Sequence, residues 1–283
     1  MYKLEEFAKG FVFLEGPRWR NNKLYVSDMW DQSVHAITFD GTSEKIAEVP
    51  GRPSGLNFLA DGRLIVVSME DRKLYEIASS GSLEEYCDLS NLVSADINDS
   101  VVDSNGVIYV GNFGYDLFSG EAPKLASIVS VLPDKSCFIS AEGLNFPNGC
   151  VIDENRRVMI VAETFGHCLT AFDLSDGGGL SNKRVWADLG EHTPDGICLD
   201  ADGAIWVSSF VTEQFIRVEQ GGKILDKIDV AGRKAVACCL GGESGRTLFA
   251  LTYEGEIEDI GSNDRRNARI EVVEVTSAGV GSP

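Results

Sequence analysis

Residues 194–209 read PDGICLDADGAIWVSS, two short apolar runs on either side of an Asp-Gly turn. The second run, Ala204–Ser209, combines the β-branched, aromatic and small residues of a buried strand. Asp202-Gly203 supplies the positive φ angles that a two-residue hairpin turn requires. The stretch therefore predicts a β-hairpin whose first strand begins near Asp195.

The same arrangement recurs at intervals of roughly 40 to 50 residues, the period of a propeller blade. The equivalent turns are Asn21-Asn22, Asp61-Gly62, Asn105-Gly106, Asn155-Arg156 and, more weakly, Ser244-Gly245. The strands predicted after the turns are Lys23–Asp28, Arg63–Ser68, Val107–Asn112, Val158–Glu163, Ala204–Ser209 and Thr247–Thr252. A third, alternating strand and a fourth, more polar strand follow in the clearest units. The sequence thus predicts an all-β fold, a six-bladed β-propeller of four-stranded blades, forming one domain over residues 1–283.

The two ends of the chain are predicted to close the ring. The last unit ends with the strand Ala268–Glu274 and lacks a fourth strand, while residues 5–10 precede the first inner strand. We expect residues 5–10 to supply the missing strand, so that the last blade is closed by the N-terminal strand. Residues 278–283 are then expected to form a loose tail.

The composition narrows the class of partner. A net charge of −19, from 25 basic and 44 acidic residues, predicts no nucleic acid and no anionic membrane as partner, because both would repel the protein. No apolar run approaches the ~20 residues that span a bilayer. Residues 1–6 show no basic n-region or apolar h-region, so a cytoplasmic location is expected. Seven cysteines without a C-x-x-C pair fit buried thiols in a reducing compartment.

In each predicted blade the inner strand begins, and the second strand ends, at the same face of the ring. The predicted inner-strand starts are Glu15, Ser54, Asn98, Asn148, Asp195 and Val236. Four carry a carboxylate or carboxamide oxygen, which suits a hard cation, Ca²⁺ first, with Mg²⁺, Mn²⁺ or Zn²⁺ as alternatives. Taken singly, Asn148 and Asp195 would be ordinary turn residues. Because the four recur at equivalent points, Glu15, Asn98, Asn148 and Asp195 are predicted to hold one divalent metal ion.

The ends of the second strands are predicted to form the wall of a substrate pocket. Aromatic residues interleaved with a few polar ones are typical of sites for small organic molecules. Each aromatic residue alone is equally suited to packing a loop, so the hypothesis concerns the set. Its members are Met29, Trp30, Met69, Phe113, Tyr115, Asp116, Phe165, Phe210 and Tyr253.

Together these residues resemble the senescence marker protein/gluconolactonase family, six-bladed propellers that include regucalcin. The resemblance covers nearly the full length, and the order and spacing of its marks make it specific. The marks are Glu15-Gly16-Pro17 with Trp19, Asn98-Asp99, Phe146-Pro147-Asn148-Gly149 and Pro194-Asp195-Gly196-Ile197. Residues 111–116 and 237–242 resemble a bacterial or fungal sugar-lactonase subgroup.

The resemblance implies one catalytic divalent metal, held by residues matching Glu15, Asn98, Asn148 and Asp195, and hydrolysis of lactones. Asp195 is the predicted general base, being an anionic ligand able to take a proton from water. In a six-bladed family with related chemistry a similar aspartate has been proposed as a nucleophile, so both roles stay open. Animal sugar lactonases have an arginine two residues before the ligand asparagine. That place is Asp96 here, a further predicted pocket residue, which can bond to hydroxyls but would repel an anionic substrate.

The predicted function is a metal-dependent lactonase acting on a small-molecule lactone or ester. One alternative is an organophosphate (phosphotriester) hydrolase or promiscuous esterase, since the same metal can polarise a phosphoryl oxygen. A different class is a non-catalytic calcium-binding propeller that binds protein partners through its top face.

Overall fold

The computed structural model describes residues 2–117, 119–230, 232–260 and 265–281. Within these residues the chain forms six four-stranded antiparallel sheets, and the N-terminal strand β1 (Glu5–Phe11) belongs to the last of them. The first three sheets contain β2 (Leu14–Arg20), β3 (Lys23–Asp28), β4 (Ser33–Thr38), β5 (Ser43–Glu48); β6 (Pro53–Phe58), β7 (Leu64–Ser68), β8 (Lys73–Ile77), β9 (Leu83–Asp88); and β10 (Ile97–Val102), β11 (Ile108–Asn112), β12 (Ala126–Val131), β13 (Cys137–Leu144). The other three contain β14 (Pro147–Asp153), β15 (Val158–Glu163), β16 (Cys168–Leu174), β17 (Leu180–Asp188); β18 (Pro194–Leu199), β19 (Ile205–Ser209), β20 (Gln214–Val218), β21 (Ile224–Asp229); and β22 (Lys234–Gly241), β23 (Thr247–Tyr253), β24 (Ala268–Glu274), β1.

The sheets are the blades of a closed ring. The first strand of each sheet packs against the first strand of the next, in the cyclic order β2, β6, β10, β14, β18, β22 and back to β2. The predicted six-bladed propeller is therefore confirmed. The helices among the described residues are the 3₁₀ turns Thr164–Gly166 and Ile257–Asp259, and neither has the length or the apolar character to cross a bilayer.

The predicted closure is also confirmed. Strand β1 pairs antiparallel with β24, from Glu5 opposite Val272 to Phe11 opposite Ala268. An aromatic cluster joins the last blade to the first: Phe249 of β23 stacks on Trp19 at 5.1 Å between ring centroids and meets Phe7 of β1 edge-on at 5.2 Å. Aromatic pairs of this geometry add about 0.5–1.5 kcal/mol each beyond the area they bury.

Residues 278 and 279 are hydrogen-bonded to the propeller, whereas the sequence predicted a loose tail over residues 278–283. The carbonyl of Ala278 accepts the Ala201 N–H at 2.7 Å, and the Gly279 N–H donates to Gly245 at 2.9 Å. A Cβ on Gly279 would lie only 2.7 Å from the Cβ of Leu240, so the glycine backbone lies directly on β22. Residues 278 and 279 therefore tie the turns of the last two blades together. Residues 282–283 lie outside the described residues.

The second strands fall where the sequence predicts them, but most of the turns before them are longer. Asn21 and Asn22 form a two-residue turn with φ angles of 50° and 58°. In the fifth blade Leu199 pairs with Ile205, which leaves residues 200–204 in the loop. The Asp200 carboxylate holds this longer turn by accepting the N–H groups of residues 202 and 204 at 2.9 and 3.0 Å. The prediction of two-residue turns is therefore wrong for blades two to six, whose loops have four or five residues.

Candidate functional site

The inner strands touch one another through their backbones near their first residues. In four blades a glycine follows the first polar side chain: Gly16, Gly55, Gly149 and Gly196. A Cβ on Gly16 would lie 2.5 Å from the Ser54 carbonyl oxygen, and one on Gly149 would lie 2.6 Å from the Asp195 carbonyl oxygen. Real Cβ atoms do not approach that closely, so only glycine fits. The close approach brings the side chains beside these glycines together around the central channel.

A chain of hydrogen bonds joins the polar side chains of neighbouring blades. The Ser54 hydroxyl donates to Asn98 Oδ1 at 2.8 Å, and Asn98 Nδ2 donates to Asn148 Oδ1 at 3.0 Å. Asn148 Nδ2 donates to the Thr164 hydroxyl at 3.3 Å, which in turn donates to the Pro194 carbonyl at 2.7 Å. All four side chains are buried. The structure thus brings the two predicted asparagines into direct contact, and the sequence prediction missed the two hydroxyl groups that orient them.

The two predicted carboxylates are buried at the same end of the channel. Burial raises the pKa of Glu15 well above its usual value, and the charges of Asp195 and Asp99 raise it further. Burial and the charge of Asp99 likewise raise the pKa of Asp195, while the Asn148 amide lowers it. Asp195 Oδ1 is buried without a hydrogen-bond partner among the described residues. Acidic groups are therefore concentrated here, and their burial favours the protonated forms as long as no further counter-charge is bound.

A third carboxylate, Asp99, was not predicted as part of the site. It stands where four other blades have their close-packing glycine, it is buried, and its charge raises the pKa values of both Glu15 and Asp195. Arg18 Nη2 lies 3.3 Å from Asp99 Oδ1 and donates to the Ser100 carbonyl at 2.7 Å. Burial raises the pKa of Asp99, and the Arg18 guanidinium opposes that rise. A polar residue in the glycine position of the repeat was the signal that could have found it.

These side chains fit a hard divalent cation. The donor set consists of two carboxylates and two carboxamides, and Ca²⁺ and Mg²⁺ prefer such oxygen ligands. Glu15 and Asp195 are both buried, Asp195 with one oxygen that has no partner among the described residues, so that ionising both is costly without a counter-charge. A cation bound by Glu15, Asn98, Asn148 and Asp195 would supply that charge.

A second acidic cluster, Asp28, Asp31 and His35, has its possible ligand atoms within 4.8 Å of one another. Its groups already have structural partners. Both Asp28 oxygens accept backbone N–H groups, of residues 12 and 13, at 2.9 Å. Asp31 is paired with Arg266 at 2.6 Å, and both ring nitrogens of His35 lie within 3.0 Å of serine hydroxyls. This cluster is explained by the packing of the first blade.

The six residues that lie two positions before the predicted inner-strand starts form a series that we call the rim. A repeated backbone bond defines it. The N–H of the residue following each second strand donates to the rim carbonyl: Met29 to Phe13, Met69 to Arg52, Phe113 to Asp96, Thr164 to Phe146 and Phe210 to Thr193, at 2.9–3.1 Å. Lys234, paired with Tyr253, holds the sixth place. The predicted wall residues and the rim are therefore adjacent in each blade.

One side of the rim is aromatic. Phe113 and Phe146 are stacked with 4.5 Å between centroids and an angle of 11° between planes. The ring centroid of Phe165, a residue that is 45% exposed, lies 4.8 Å from that of Phe146. The ring centroid of Tyr115 lies 6.1 Å from that of Phe146. Phe146 adopts a φ of 60°, a conformation uncommon for a bulky residue. The structure joins three predicted wall residues through Phe146, which the prediction omitted although it stands two residues before Asn148.

The other predicted wall residues differ in accessibility. Met69 is completely buried and Tyr253 nearly so, packed edge-on against Phe13 at 5.4 Å. Met29 is buried and Phe210 half-buried. Asp116 is exposed and accepts the Ser119 N–H at 3.0 Å. Trp30 and Asp96 both lie near Arg52, a rim residue that the prediction also omitted. Substrate contact by each of these residues stays a prediction.

Comparison with known proteins assigns the family. The family model described as "SMP-30/Gluconolactonase/LRE-like region" matches residues 13–254. Regucalcin of Danio rerio is 25% identical over 249 residues, which cover 83% of this chain and 81% of the regucalcin. Three solved structures show the same fold.

A luciferin-regenerating enzyme superposes with a TM-score of 0.87 at 18% identity, covering 100% of this chain and 98% of its own. A gluconolactonase of Xanthomonas campestris has a TM-score of 0.78 at 22% identity, with coverages of 97% and 90%. A regucalcin of Agrobacterium tumefaciens, described as a calcium-binding protein, has a TM-score of 0.81 at 18% identity, with coverages of 98% and 97%. This six-bladed propeller belongs to the SMP-30/gluconolactonase/LRE-like family.

Proposed function

We propose that this protein is a divalent-metal-dependent lactonase, with Ca²⁺ as the first candidate for the ion. One observation carries the proposal: Glu15, Asn98, Asn148 and Asp195 are buried at the inner-strand starts, beside a rim that is aromatic on one side. Membership of a family that includes a gluconolactonase and a calcium-binding regucalcin supports both parts of the proposal.

The metal ion and Asp195 would have separate roles in the hydrolysis. A divalent cation held by Glu15, Asn98, Asn148 and Asp195 would polarise the lactone carbonyl and lower the pKa of the attacking water. Asp195 Oδ1, which has no partner among the described residues, accepts the proton as the water oxygen forms its bond to the carbonyl carbon. The carbon–oxygen bond of the ring then breaks, and Asp195 returns the proton to the departing ring oxygen. The product is a hydroxy acid.

Neighbouring side chains support Asp195 in this role. The buried charge of Asp99 raises the proton affinity of Asp195, which favours a base. The Asn148 amide keeps the carboxylate oriented, and Thr164 fixes the amide in turn. The stacked pair Phe113 and Phe146 would shield one side of the pocket from bulk water and offer an apolar face to a lactone ring.

The test is a panel of γ- and δ-lactones, aryl esters and phosphotriesters, assayed with the purified protein before and after EDTA treatment. Ca²⁺, Mg²⁺, Mn²⁺ and Zn²⁺ are then added back separately. Lactone hydrolysis that EDTA abolishes and one of these ions restores is the expected result. Turnover confined to phosphotriesters would favour the organophosphate hydrolase. Turnover that survives complete metal removal would contradict the mechanism, and Ca²⁺ binding without hydrolysis would favour the non-catalytic propeller.

A further inference from the structure

A separate cavity lies at the opposite end of the inner strands from the candidate metal site. Glu15 and Asp195 are the second residues of β2 and β18, whereas the lining of this cavity comes from residues near the ends of the inner strands. Five inner strands and the tail contribute to it, through Arg20, Phe58, Val102, Leu199, Leu240 and Gly281. We call it the lower cavity. Its volume is about 230 Å³, below the ~300–1,000 Å³ of pockets for drug-sized molecules, so only a small molecule would fit.

The charge of the lower cavity is positive. Among the described residues that line it, the charged ones are Arg18 and Arg20, and none is a carboxylate. Arg18 is paired with Asp99, which lies outside the lining. The Arg20 guanidinium lies over the Phe58 ring, with Cζ 4.8 Å from the centroid, and forms no ion pair with the described residues. Stacking of this kind fixes the plane of a guanidinium and leaves its N–H groups available to a carboxylate. In a protein with a net charge of −19, this cavity favours an anion.

Two buried polar atoms at the lower cavity have no hydrogen-bond partner among the described residues. They are Arg18 Nε, a donor, and Asn57 Oδ1, an acceptor, and the two residues are 5% and 2% exposed. The rest of each group is held in place. Arg18 Nη1 and Nη2 donate to the carbonyls of Pro17 and Ser100 at 2.9 and 2.7 Å. Asn57 Nδ2 donates to the Ser100 hydroxyl at 2.6 Å. Because unpaired buried polar atoms are costly, a ligand that accepts from one and donates to the other would bind favourably.

We propose that the lower cavity is a binding site for a small hydroxycarboxylate with an apolar body. The carboxylate accepts from Arg20 and from Arg18 Nε, and the hydroxyl donates to Asn57 Oδ1. The apolar body packs against the uncharged part of the wall, which includes Trp19 and Leu240. This site is distinct from the candidate metal site and does not depend on the proposed lactonase function. Lactone hydrolysis would itself release a hydroxy acid, so the ligand could be that product or an unrelated molecule of the same class.

Calorimetric titration with mandelate, which combines a carboxylate, an adjacent hydroxyl and a ring, tests the proposal on both metal-free and Ca²⁺-loaded protein. Three analogues each lack one element: phenylacetate lacks the hydroxyl, lactate lacks the ring, and in styrene glycol a hydroxymethyl group replaces the carboxylate. We expect each analogue to bind at least about tenfold more weakly than mandelate. Mandelate itself should bind equally with and without Ca²⁺. The hydrolysis product δ-hydroxyvalerate identifies the source: tighter binding than mandelate assigns the site to the product, and weaker binding assigns it to an unrelated aromatic hydroxy acid.

The test variant is Arg20→Gln, because Arg20 is half-buried and has no ion pair to lose among the described residues. It should weaken mandelate binding roughly 10- to 100-fold, as expected for lost hydrogen bonds to a charged group. Arg246→Gln is the matched control and should bind within about twofold of the wild type. It removes an exposed arginine from the turn between β22 and β23, at the same end of the propeller but outside the lining.

Val102→Phe, which fills the lower cavity without changing its charge, should abolish binding, and circular dichroism checks the fold of every variant. Absence of mandelate binding to the wild type at millimolar concentrations would overturn the proposal. So would equal binding by Arg20→Gln, or equal binding of styrene glycol. Binding that requires Ca²⁺ would place the carboxylate on the metal ion and also refute the site. Since the titration needs neither metal nor turnover, its outcome is independent of whether the protein is a lactonase.

Discussion

The stability of this protein should depend on Ca²⁺ in a way that grows with pH. Glu15 and Asp195 both have pKa values raised by burial and by neighbouring carboxylates. Without metal, the folded chain therefore holds protons that the unfolded chain releases at a pH near 4. Their contribution to stability is complete below that pH and is lost as the pH rises through the folded pKa values. A bound cation opposes this loss, because it stabilises the ionised pair.

The size of the effect follows from the ligand concentration and the chain length. Free Ca²⁺ at a hundred times its Kd adds about 2.7 kcal/mol to the free energy of unfolding. For 283 residues the entropy of unfolding is about 0.6 kcal/mol per kelvin, so the Tm should rise by about 5 °C. Glu15→Gln removes one of the two proposed anionic ligands. If that weakens binding tenfold, the gain at the same Ca²⁺ concentration falls to about 1.4 kcal/mol, or about 2 °C.

Thermal unfolding followed by circular dichroism at pH 5, 6, 7 and 8 is the assay, with EDTA in one series and Ca²⁺ in the other. The gain from Ca²⁺ should increase from pH 5 to pH 8 in the wild type, and Glu15→Gln should show a smaller and flatter gain. Glu84→Gln, which removes an exposed glutamate of β9, is the control and should match the wild type. A Tm that is the same with and without Ca²⁺ throughout this range would refute the assignment of these carboxylates to a metal site. A full gain in Glu15→Gln would remove Glu15 from it.

Three further outcomes test other parts of the structure. Asp195→Asn should lower lactone turnover roughly 10²- to 10⁴-fold at saturating metal, since an amide cannot take the proton from water. The control Asp153→Asn, at the end of β14, should leave the rate unchanged. A pH-indicator assay measures both rates, and an undiminished rate in Asp195→Asn would exclude Asp195 as the base. Asp200→Ala should lower the Tm by about 5–8 °C, which corresponds to a loss of about 3–5 kcal/mol. The reason is that the mostly buried Arg217 loses its nearest partner, since Arg217 Nε lies 2.6 Å from Asp200 Oδ2. A shift below about 1 °C would show that Asp202 compensates fully. Deleting residues 2–11 should expose the edge of β24 and cause self-association detectable by light scattering, and a monomer with wild-type Tm would contradict the role of β1 in closure.

The blades could be predicted because their signals are local. Strand β3 begins and ends where its β-branched and aromatic run predicts, directly after Asn21-Asn22, and β15 and β24 also agree with the predicted limits. The pairing of β1 with β24 could be predicted because the last unit of the repeat lacks a fourth strand and the N-terminal segment is the one strand left over. The approach of Asn98 to Asn148 followed from placing the inner-strand starts at equivalent points of a repeat.

The remaining features depend on contacts between blades, which a strand pattern does not encode. Asp99 stands in a glycine position, and its partner Arg18 comes from the first blade. Arg52 reaches Asp96 only because rim positions of adjacent blades lie side by side in the closed ring. Phe146 takes a positive φ that its residue type disfavours, so its stacking on Phe113 could not be read from propensity. Loop lengths escaped prediction because a single carboxylate, such as that of Asp200, can hold a longer turn.

The pairing of β1 with β24 has a consequence for the order of events during synthesis. The ribosome releases Phe7 early, but its partner Phe249 appears only when most of the chain has been made. Until then β2 lacks its neighbour β22, and the growing chain is an open arc with an unpaired edge. In the proposed metal site, Glu15 and Asp195 would share one cation only after the arc has closed. A fusion that restrains the N-terminal strand should therefore delay the acquisition of Ca²⁺ binding in a nascent chain more than it delays the formation of the individual blades.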